Sequence, residues 1–254
     1  MVAGASEGIG AAFATRLAAE GMDLIIVARR PGPLEQLAKE LESKYKIKVT
    51  CVSCDLAEAD APLQLKNAVG DRAVDILVYN AAIPYIGAFE KNSIEHHTQM
   101  AQANMVTPMN LVQIFAASML ERGRGAVILM SSLAGFQGSG FLAGYAATKA
   151  FNRVLGESLW YEWKDRGVDV IACCAGATST PNFVNTKPDS AGLFSPPVQR
   201  PDEVVKECFE KLGKQPSFVS GGGNKLASFI MQRLLPRRLA ITIMGDTTRK
   251  MYRL

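Results

Sequence analysis

The sequence predicts an α/β fold built on a doubly wound parallel sheet of about seven strands, in a single domain spanning residues 1–254. Short apolar runs alternate with amphipathic, helix-like runs along most of the chain, and no repeat or low-complexity linker interrupts them. Continuous apolar strands separated by helices are typical of a parallel sheet that is covered on both faces. Right-handed crossovers then place the helices on the two faces in turn.

The hydrophobic periodicity sets the expected elements in order. After a first strand at residues 1–3, we expect strands at residues 24–27, 47–53, 74–79, 126–130, 168–174 and 217–219. Helices are expected at residues 11–20, 34–45, 61–69, 94–122 (broken near Pro108), 144–164 and 204–212. The first strand has three residues before Gly4, against ~5–6 in a usual strand. It is therefore either abnormally short or lacks residues that precede Met1.

The composition is that of an ordinary globular protein, with 48% hydrophobic and 20% charged residues among 254. This balance excludes a disordered chain, and no apolar run approaches the ~20 residues of a membrane span. The first residues lack a basic segment followed by an apolar one, so we expect no secretory signal. Five cysteines are an odd number in a chain of this size, which predicts free thiols and a reduced, cytoplasmic location.

The positive charge is concentrated at the end of the chain. Residues 233–254 carry six basic side chains and one acidic one, while the formal net charge of the whole chain is only +4. The nearly neutral remainder predicts no nucleic-acid binding. Residues 234–244 mix apolar side chains with arginines, which predicts a terminal helix packed on its own subunit or a neighbour. The alternative is peripheral contact with an anionic membrane surface.

A glycine-rich turn lies where the first strand meets the first helix, with Gly4, Gly8 and Gly10 in the spacing Gly-x-x-x-Gly-x-Gly. Glycine permits a tight turn and lets the backbone approach a ligand closely. The helix that follows directs unpaired N–H groups and the positive end of its dipole at a phosphate. The turn is therefore a candidate site for the pyrophosphate of a dinucleotide.

The second strand ends in Ala28-Arg29-Arg30, without the carboxylate that binds the ribose hydroxyls of NAD. Arg29 can instead pair with a 2′-phosphate, which predicts NADP(H) over NAD(H). The alternative is that Arg29 and Arg30 only solvate a loop, and Glu7 in the glycine turn adds no positive charge. Asp55, after the third strand, is a candidate acceptor for the adenine amino group or, alternatively, a carboxylate at a helix N-terminus.

Tyr145 and Lys149 lie four residues apart in a predicted helix, so their side chains share one face, one turn apart. A phenol has a reference pKa near ~10, and a neighbouring ammonium favours the phenolate and lowers that pKa. Ser132 follows the apolar run at residues 126–130, which places its hydroxyl at the carboxyl edge of the sheet, where such folds bind ligands. These three side chains are candidate catalytic groups.

Together these residues resemble the short-chain dehydrogenase/reductase family, and most closely its bacterial hydroxysteroid and 3-oxoacyl reductases. The matching motifs are Gly4-x-x-x-Gly8-x-Gly10, Asp55-Leu56, Asn80-Ala81-Ala82, Asn104, Ser131-Ser132 and Tyr145-x-x-x-Lys149. The resemblance covers residues 1–180 well and is loose beyond them. It implies a single-domain Rossmann fold with seven strands in the order 3-2-1-4-5-6-7.

The resemblance also implies the roles of the catalytic residues. Tyr145 would be the general acid in reduction and the base in oxidation, and Ser132 would hydrogen-bond the substrate oxygen. Lys149 would lower the pKa of Tyr145 and hold the nicotinamide ribose. Asn104 would order a water molecule that links Lys149 to solvent.

The expected cofactor site extends from the glycine turn to the end of the sixth strand, where Thr180 would bind the carboxamide. Its residues are Gly4, Ser6, Gly8, Ile9, Gly10, Arg29, Asp55, Leu56, Asn80, Ala81, Tyr145, Lys149, Gly176 and Thr180. Three turns that support the cofactor depart from the family pattern, with Tyr79 in place of the first Asn of Asn-Asn-Ala-Gly, Ala175 in place of a Pro and Ala3 in place of a Thr. The last residue of that Asn-Asn-Ala-Gly motif is also Ala here, at Ala82.

We therefore predict an NADP(H)-dependent oxidoreductase that interconverts a ketone and a secondary alcohol on a lipophilic small molecule. The alternatives are a non-catalytic NADP-binding regulatory module and an epimerase or dehydratase of the same family. Residues 1–180 would form the cofactor-binding and catalytic core, residues 181–220 a substrate loop, helix and last strand, and residues 221–254 a basic amphipathic tail.

Other chemistry-bearing residues are predicted to be structural, and no metal site is expected. Cys51 and Cys54 alternate to opposite faces of a strand, which indicates core packing and not a zinc site. His96 and His97 have no partner pattern and are expected on a solvated helix. Trp160, Tyr161 and Trp163 are expected in the core or at a subunit interface, because the family forms dimers or tetramers through helices near residues 104–122 and 144–163.

Overall fold

The protein is described by a computed structural model that covers residues 1–186, 188–189 and 197–254. Its centre is a seven-stranded sheet in the order β3-β2-β1-β4-β5-β6-β7, in which all neighbouring strands are parallel. The strands are β1 (Val2–Ala3), β2 (Leu24–Ala28), β3 (Val49–Ser53), β4 (Ile76–Tyr79), β5 (Gly125–Ser132), β6 (Val168–Ala175) and β7 (Ser217–Val219). The predicted Rossmann fold and its strand order are confirmed.

The helices alternate with the strands along the chain. They are α1 (Gly8–Ala19), α2 (Pro31–Tyr45), α3 (Ala61–Val69), α4 (Ile94–Ala101), α5 (Thr107–Arg122), α6 (Ala143–Trp163), α7 (Pro181–Asn185), α8 (Pro201–Lys211), α9 (Gly222–Phe229) and α10 (Arg237–Tyr252). Two π-helical turns, Gln102–Val106 and Ile230–Leu234, join α4 to α5 and extend α9. The middle of the predicted substrate loop, residue 187 and residues 190–196, lies outside the described residues.

Each face of the sheet carries its own hydrophobic core. On one face α1, α2 and α8 bury apolar side chains such as Phe13 and Leu34 against the strands. On the other face α3, α5 and α6 do the same with side chains such as Leu111 and Met119. Cys51 packs against the first core and Cys54 lies in the second, as strand alternation predicts. No cluster of metal-ligating side chains occurs in the part of the chain that the structure describes.

The first strand consists of two residues, both fully buried, and is paired on both sides. Val2 lies opposite Ile26 on β2 and Val78 on β4. The strand ends at Gly4, whose positive φ of 81° turns the chain towards α1. This strand brings the glycine turn to the centre of the sheet edge.

The long helical region at residues 94–122 differs from the prediction at one point. It is interrupted by the π-helical turn at Gln102–Val106 and not by a break at Pro108. Pro108 lies in the first turn of α5, where a missing N–H is tolerated. A π-turn adds one residue to a helical turn without ending the helix, and apolar periodicity does not reveal it.

The C-terminal helix α10 packs back onto its own subunit, which is the first of the two packing outcomes expected for the basic tail. Its Arg249 guanidinium lies 5.2 Å from the centroid of the Phe141 ring, and Arg237 donates to the Phe136 carbonyl at 3.3 Å. Ala240 and Thr248 are the residues of α10 that are buried. None of the helices in the described residues is long and apolar enough to cross a bilayer. Peripheral contact of the tail with a membrane surface stays a prediction.

Candidate active site

The carboxyl edge of the sheet opens into a cleft of about 1140 Å³ that runs from the glycine turn to α10. Other backbone atoms lie so close to Gly4 and Gly10 that neither position has room for a Cβ atom. A Cβ on Gly4 would lie 2.6 Å from the Ala81 nitrogen, and one on Gly10 would lie 1.9 Å from the Gly4 oxygen. Asn80 closes the turn by donating from Nδ2 to the Gly4 oxygen at 2.9 Å. This exposed, side-chain-free cradle at the start of α1 fits a dinucleotide pyrophosphate.

Two arginines border the cleft at the carboxyl end of β2. Arg29 is 72% exposed, and its nearest ion-pair partner, Asp55, is 3.7 Å away. Arg30 pairs with Glu7 of the glycine turn at 2.7 Å. Glu7 therefore restrains Arg30 at the rim, while Arg29 stays available for an anionic ligand. Asp55 accepts from the Ala57 backbone at 3.0 Å within a turn, so it is not the helix N-terminal carboxylate of the alternative.

Ser132, Tyr145 and Lys149 all line the cleft, as their spacing predicts. Ser132 is the last residue of β5, and α6 begins two residues before Tyr145, so its first two turns hold Tyr145 and Lys149 beside that strand end. Ser132 lies close enough to the Tyr145 phenol to lower the Tyr145 pKa through a side-chain hydrogen-bonding interaction. The Ser132 Oγ also accepts from the Ala134 nitrogen at 3.2 Å. The predicted catalytic groups are thus brought together at one point of the sheet edge.

The pKa of Tyr145 differs from the expectation. Burial raises the pKa of Tyr145 to about 12, the hydrogen bond with Ser132 opposes this shift, and nearby Tyr252 adds to it. Lys149 does not reverse the shift because its ammonium donates to the Met130 carbonyl at 2.9 Å and lies 5.7 Å from the centroid of the Tyr145 ring. The predicted lowering of the Tyr145 pKa by Lys149 is therefore wrong for the protein without cofactor, and the phenol is protonated at neutral pH.

Lys149 is itself deeply buried, with 3% of its surface exposed. Burial lowers the pKa of Lys149 to about 8. Its backbone carbonyl accepts from Ser131 Oγ at 2.7 Å, which fixes α6 against β5. The ammonium has one protein acceptor among the described residues, so it retains N–H groups that a ligand in the cleft can use.

Asn104 lies in the π-helical turn behind the cleft and holds two segments together. Its side chain accepts from the Ile83 nitrogen at 2.8 Å and donates to the Ile83 oxygen at 2.9 Å and to Thr148 Oγ1 at 3.0 Å. Asn152 donates to its backbone oxygen at 2.9 Å. Asn104 therefore fixes the chain after β4 against α6, while its predicted role in ordering a water molecule stays a prediction.

Tyr79, a departure from the family pattern, has a structural role that its sequence position did not reveal. It is fully buried at the end of β4, and its hydroxyl donates to the Ala103 carbonyl in the π-helical turn. The Tyr79 hydroxyl thereby supplies a hydrogen-bond donor to the backbone carbonyl of the residue that precedes Asn104. The departure changes the support of the turn and removes no proton-transfer group from the cleft.

The remaining predicted cofactor residues form one continuous surface. Ser6, Ile9, Leu56, Asn80, Ala81, Gly176 and Thr180 line the cleft, and Gly10 and Asn104 lie behind it. Thr180 caps α7 by accepting from the Phe183 nitrogen at 3.2 Å. Its methyl group would lie 2.8 Å from a Cβ on Gly8, so the residue after β6 that was predicted to bind the cofactor lies directly against the glycine turn.

One wall of the cleft was missed by the sequence analysis. It is formed by α10, and its cleft-lining residues are Ile243, Met244, Thr247, Thr248, Met251 and Tyr252. Their spacing of three and four residues indicates one helix face, but periodicity alone cannot identify the surface that this face contacts. His96 of α4 also borders the cleft, although it was expected on a solvated helix.

Comparisons with known proteins agree with this site. A family model described as short chain dehydrogenase matches residues 1–191. The 7beta-hydroxysteroid dehydrogenase of Clostridium sardiniense is 35% identical over 225 residues, which cover 89% of this chain and 86% of that protein. A solved structure described as "Structural and biochemical insights into 7beta-hydroxysteroid dehydrogenase stereoselectivity" has a TM-score of 0.90 at 30% identity, covering 96% of this chain and 95% of its own. A short-chain dehydrogenase from Sphingobium yanoikuyae in complex with NADPH has a TM-score of 0.76 at 28% identity, covering 86% and 85%.

The glycine cradle and the Ser–Tyr–Lys constellation on a Rossmann sheet define an oxidoreductase that binds a nicotinamide cofactor. The chain belongs to the short-chain dehydrogenase/reductase family and acts on CH–OH donors of small molecules. The predicted resemblance to this family, with its hydroxysteroid dehydrogenases, is confirmed.

Proposed function

We propose that the protein is an NADP(H)-dependent dehydrogenase that interconverts a ketone and a secondary alcohol on a bulky, lipophilic substrate. The observation that carries this proposal is the position of Ser132 and Tyr145 in a cleft that is also lined by Ile243, Met244 and Met251 of α10. An apolar cavity with a few convergent polar groups is suited to a hydrophobic ligand that carries one reacting oxygen.

Ser132 and Tyr145 would both hydrogen-bond the substrate oxygen. In reduction the carbonyl carbon receives a hydride while the Tyr145 hydroxyl gives its proton to the oxygen, and in oxidation both transfers reverse. The nicotinamide supplies or accepts that hydride when it is bound. Because burial raises the pKa of Tyr145 to about 12, the residue is held in its proton-donating form.

Lys149 would hold the nicotinamide ribose through the N–H groups that the Met130 carbonyl does not use. Asn104 fixes the backbone of Ile83 and the hydroxyl of Thr148, which lies next to Lys149 in the sequence. A water molecule ordered beside Asn104 would return a proton to Tyr145 through Lys149 after each reduction.

NADP(H) is favoured by the rim of the cleft at β2. Arg29 presents an exposed guanidinium with only a loose partner, and no carboxylate follows β2 where one would bind the ribose hydroxyls of NAD. A bidentate arginine suits the 2′-phosphate of NADP(H). The similar dehydrogenase from Sphingobium yanoikuyae, solved in complex with NADPH, supports the same choice.

The substrate class follows from the volume and lining of the cleft together with the similarity to 7beta-hydroxysteroid dehydrogenases. We infer a polycyclic or similarly bulky hydroxyl compound whose apolar body contacts α10. The subunits would associate as a homodimer or homotetramer through α5 and α6, where Met109, Val154 and Tyr161 leave 42%, 50% and 66% of their surfaces exposed. Light scattering coupled to size-exclusion chromatography measures that association directly.

The experiment that tests the function is NADPH oxidation with three kinds of carbonyl compound: oxosteroids, 3-oxoacyl thioesters and small aliphatic ketones. We expect the highest kcat/KM with the oxosteroids and none with Tyr145→Phe. Equal or higher efficiency with the small ketones would contradict the bulky-substrate assignment. A wild-type protein that binds NADPH but reduces none of these compounds would instead favour the non-catalytic alternative.

A further inference from the structure

Asn224, in the first turn of α9, is a buried amide at the edge of the cleft that the family motifs do not include. It is 1% exposed and lines the same cleft as the catalytic residues. Its Nδ2 donates to the Ser220 carbonyl at 2.9 Å and to Gln199 Oε1 at 3.4 Å. Its Oδ1 accepts no hydrogen bond from any described residue.

The orientation of this amide is fixed by its neighbours. Glu207 can only accept, and it takes hydrogen bonds from the Gly221 nitrogen at 3.0 Å, from Lys225 at 3.0 Å and from Gln199 Nε2 at 3.3 Å. Gln199 therefore directs its own oxygen at Asn224. Because the Ser220 carbonyl is also an acceptor, both acceptors face Nδ2, and Oδ1 is left on the other side.

The Oδ1 atom borders open space. The fully enclosed polar side-chain atoms without a partner in the described residues are Asn152 Oδ1, Arg153 Nε and Ser220 Oγ, and Asn224 Oδ1 is not among them. The open space that Asn224 borders is the large cleft. A nearly buried carbonyl oxygen that faces a cavity without a donor is unusual in folded proteins and points to a ligand that supplies one.

The position along the cleft identifies the ligand group. A Cβ on Gly176 would lie 2.5 Å from Asn224 Nδ2 and 3.1 Å from Oδ1, so the amide lies directly against the residue that follows β6. The preceding residue, Ala175, is the register partner of Ser132 on β5. Asn224 is thus one strand away from the hydroxyl that contacts the reacting oxygen, at the same level of the sheet edge.

We propose that Asn224 binds the nicotinamide end of the cofactor by accepting a hydrogen bond from the carboxamide N–H at Oδ1. The carboxamide is the only substituent of the nicotinamide ring that carries hydrogen-bond donors. An acceptor fixed through Gln199 and Glu207 restricts the rotation of the ring and so determines which face it presents to the substrate. The proposal rests on nicotinamide binding and adds one residue from outside the recognised motifs.

The test compares NADP⁺ with its 3-acetylpyridine analogue, in which a methyl group replaces the amide nitrogen and the N–H donors are lost. Dissociation constants are measured by calorimetry on the full chain for the wild type, for Asn224→Leu and for Lys225→Met. Lys225 lies next to Asn224 on the exposed side of α9 and also contacts the Glu207 network, which makes it the matched control.

We expect Asn224→Leu to weaken NADP⁺ binding about five-fold, as for the loss of one neutral hydrogen bond, and to change binding of the analogue less than two-fold. Lys225→Met should change neither. An equal loss for both ligands would show that Asn224 only supports the Gly176 turn, and no loss would show that Oδ1 does not face the cofactor; either result overturns the proposal. So would a loss confined to the KM of the carbonyl substrate.

A second variant, Asn224→Ser, keeps the proposal testable if Asn224→Leu does not fold. Asn224→Ser is smaller, withdraws the acceptor from the cleft and should give the same difference between the two ligands. Failure of the wild type to bind NADP⁺ at all would count against the proposed function and is seen before any variant is compared.

Discussion

Arg253 forms a bidentate ion pair with Asp189. Arg253 directly follows α10 and Asp189 lies in the chain after α7, so the pair joins these two segments. The guanidinium donates through Nε and, at 2.8 Å, through a terminal nitrogen, one to each carboxylate oxygen. The Asp189 nitrogen also donates to the Met251 carbonyl at 2.8 Å. Because α7 and α10 both line the cleft, the pair connects two of its walls. Arg253 holds the pKa of Asp189 below its usual range, so the pair persists at neutral pH.

Arg253→Gln should loosen the wall formed by α10 and raise KM for a bulky ketone. The exposed position limits the effect to about five-fold. NADPH affinity should not change, because Arg253 is remote from the glycine turn. Steady-state kinetics at low and high salt measure this, with Arg238→Gln as control, since Arg238 is on the same helix and has no ion pair among the described residues. An equal rise in KM for both variants would contradict the role of the pair.

Tyr145 should titrate late in the protein without cofactor. Burial raises the pKa of Tyr145 to about 12, so the phenol stays protonated up to about pH 10. The difference in ultraviolet phenolate absorbance between the wild type and Tyr145→Phe measures this titration. Phenolate formation near pH 7 before cofactor is added would show that the Lys149 ammonium dominates after all.

The same pKa sets the sign of the pH dependence of catalysis. Oxidation needs the deprotonated form of Tyr145, so its rate should rise with pH, whereas reduction uses the protonated form and should not rise over the same range. Initial rates in both directions from about pH 6 to pH 9 measure this difference. A reduction rate that rises together with the oxidation rate would exclude Tyr145 as the proton donor.

Arg29→Ala should weaken NADPH binding by about ten-fold or more, because it removes a charge-assisted contact with the 2′-phosphate. NADH binding should be unchanged, which separates a phosphate contact from a general loss of fold. Arg16→Ala is the control, since Arg16 pairs with Glu20 on α1 away from the cleft. Fluorescence titration with both cofactors measures the two affinities, and parallel losses of both would refute the assignment.

Gly10→Ala should destabilise the protein and prevent dinucleotide binding. The added Cβ would lie 1.9 Å from the Gly4 oxygen, and backbone atoms cannot yield as a flexible side chain can. We expect a loss of at least about 2 kcal/mol in the free energy of unfolding. Gly32→Ala, in the first turn of α2 with open space around the new Cβ, should leave stability unchanged or slightly higher. Urea denaturation of both variants measures the contrast.

The sequence predicted all seven strands of the sheet, with bounds that differ by up to two residues, and the placement of Ser132, Tyr145 and Lys149 in one cleft. Strands of continuous apolar residues have one stable arrangement between two helix layers, and the spacing of Tyr145 and Lys149 is a local property of a helix. The pKa of Tyr145 was predicted with the wrong sign because it depends on burial and on the Met130 carbonyl that holds Lys149. Neither of these is local in sequence.

The C-terminal half of the cleft could not be predicted for the same reason. The face of α10 and the amide of Asn224 become part of the site only because the chain returns to the carboxyl edge after β7. An isolated asparagine, or two methionines seven residues apart such as Met244 and Met251, carries no pattern that distinguishes a cleft wall from any other packed surface.

The π-helical turn at Gln102–Val106 makes the number of residues between α4 and α5 as important as the identity of Asn104. Removing one residue there would close the turn to an ordinary α-helix and rotate everything before it by about 100° relative to α5. Asn104 would then lose its hydrogen bonds with Ile83 and Thr148. The residues of α4 that line the cleft would no longer face it. Relatives that keep this architecture should therefore show no insertions or deletions in the segment and should keep an Asn at the position of Asn104.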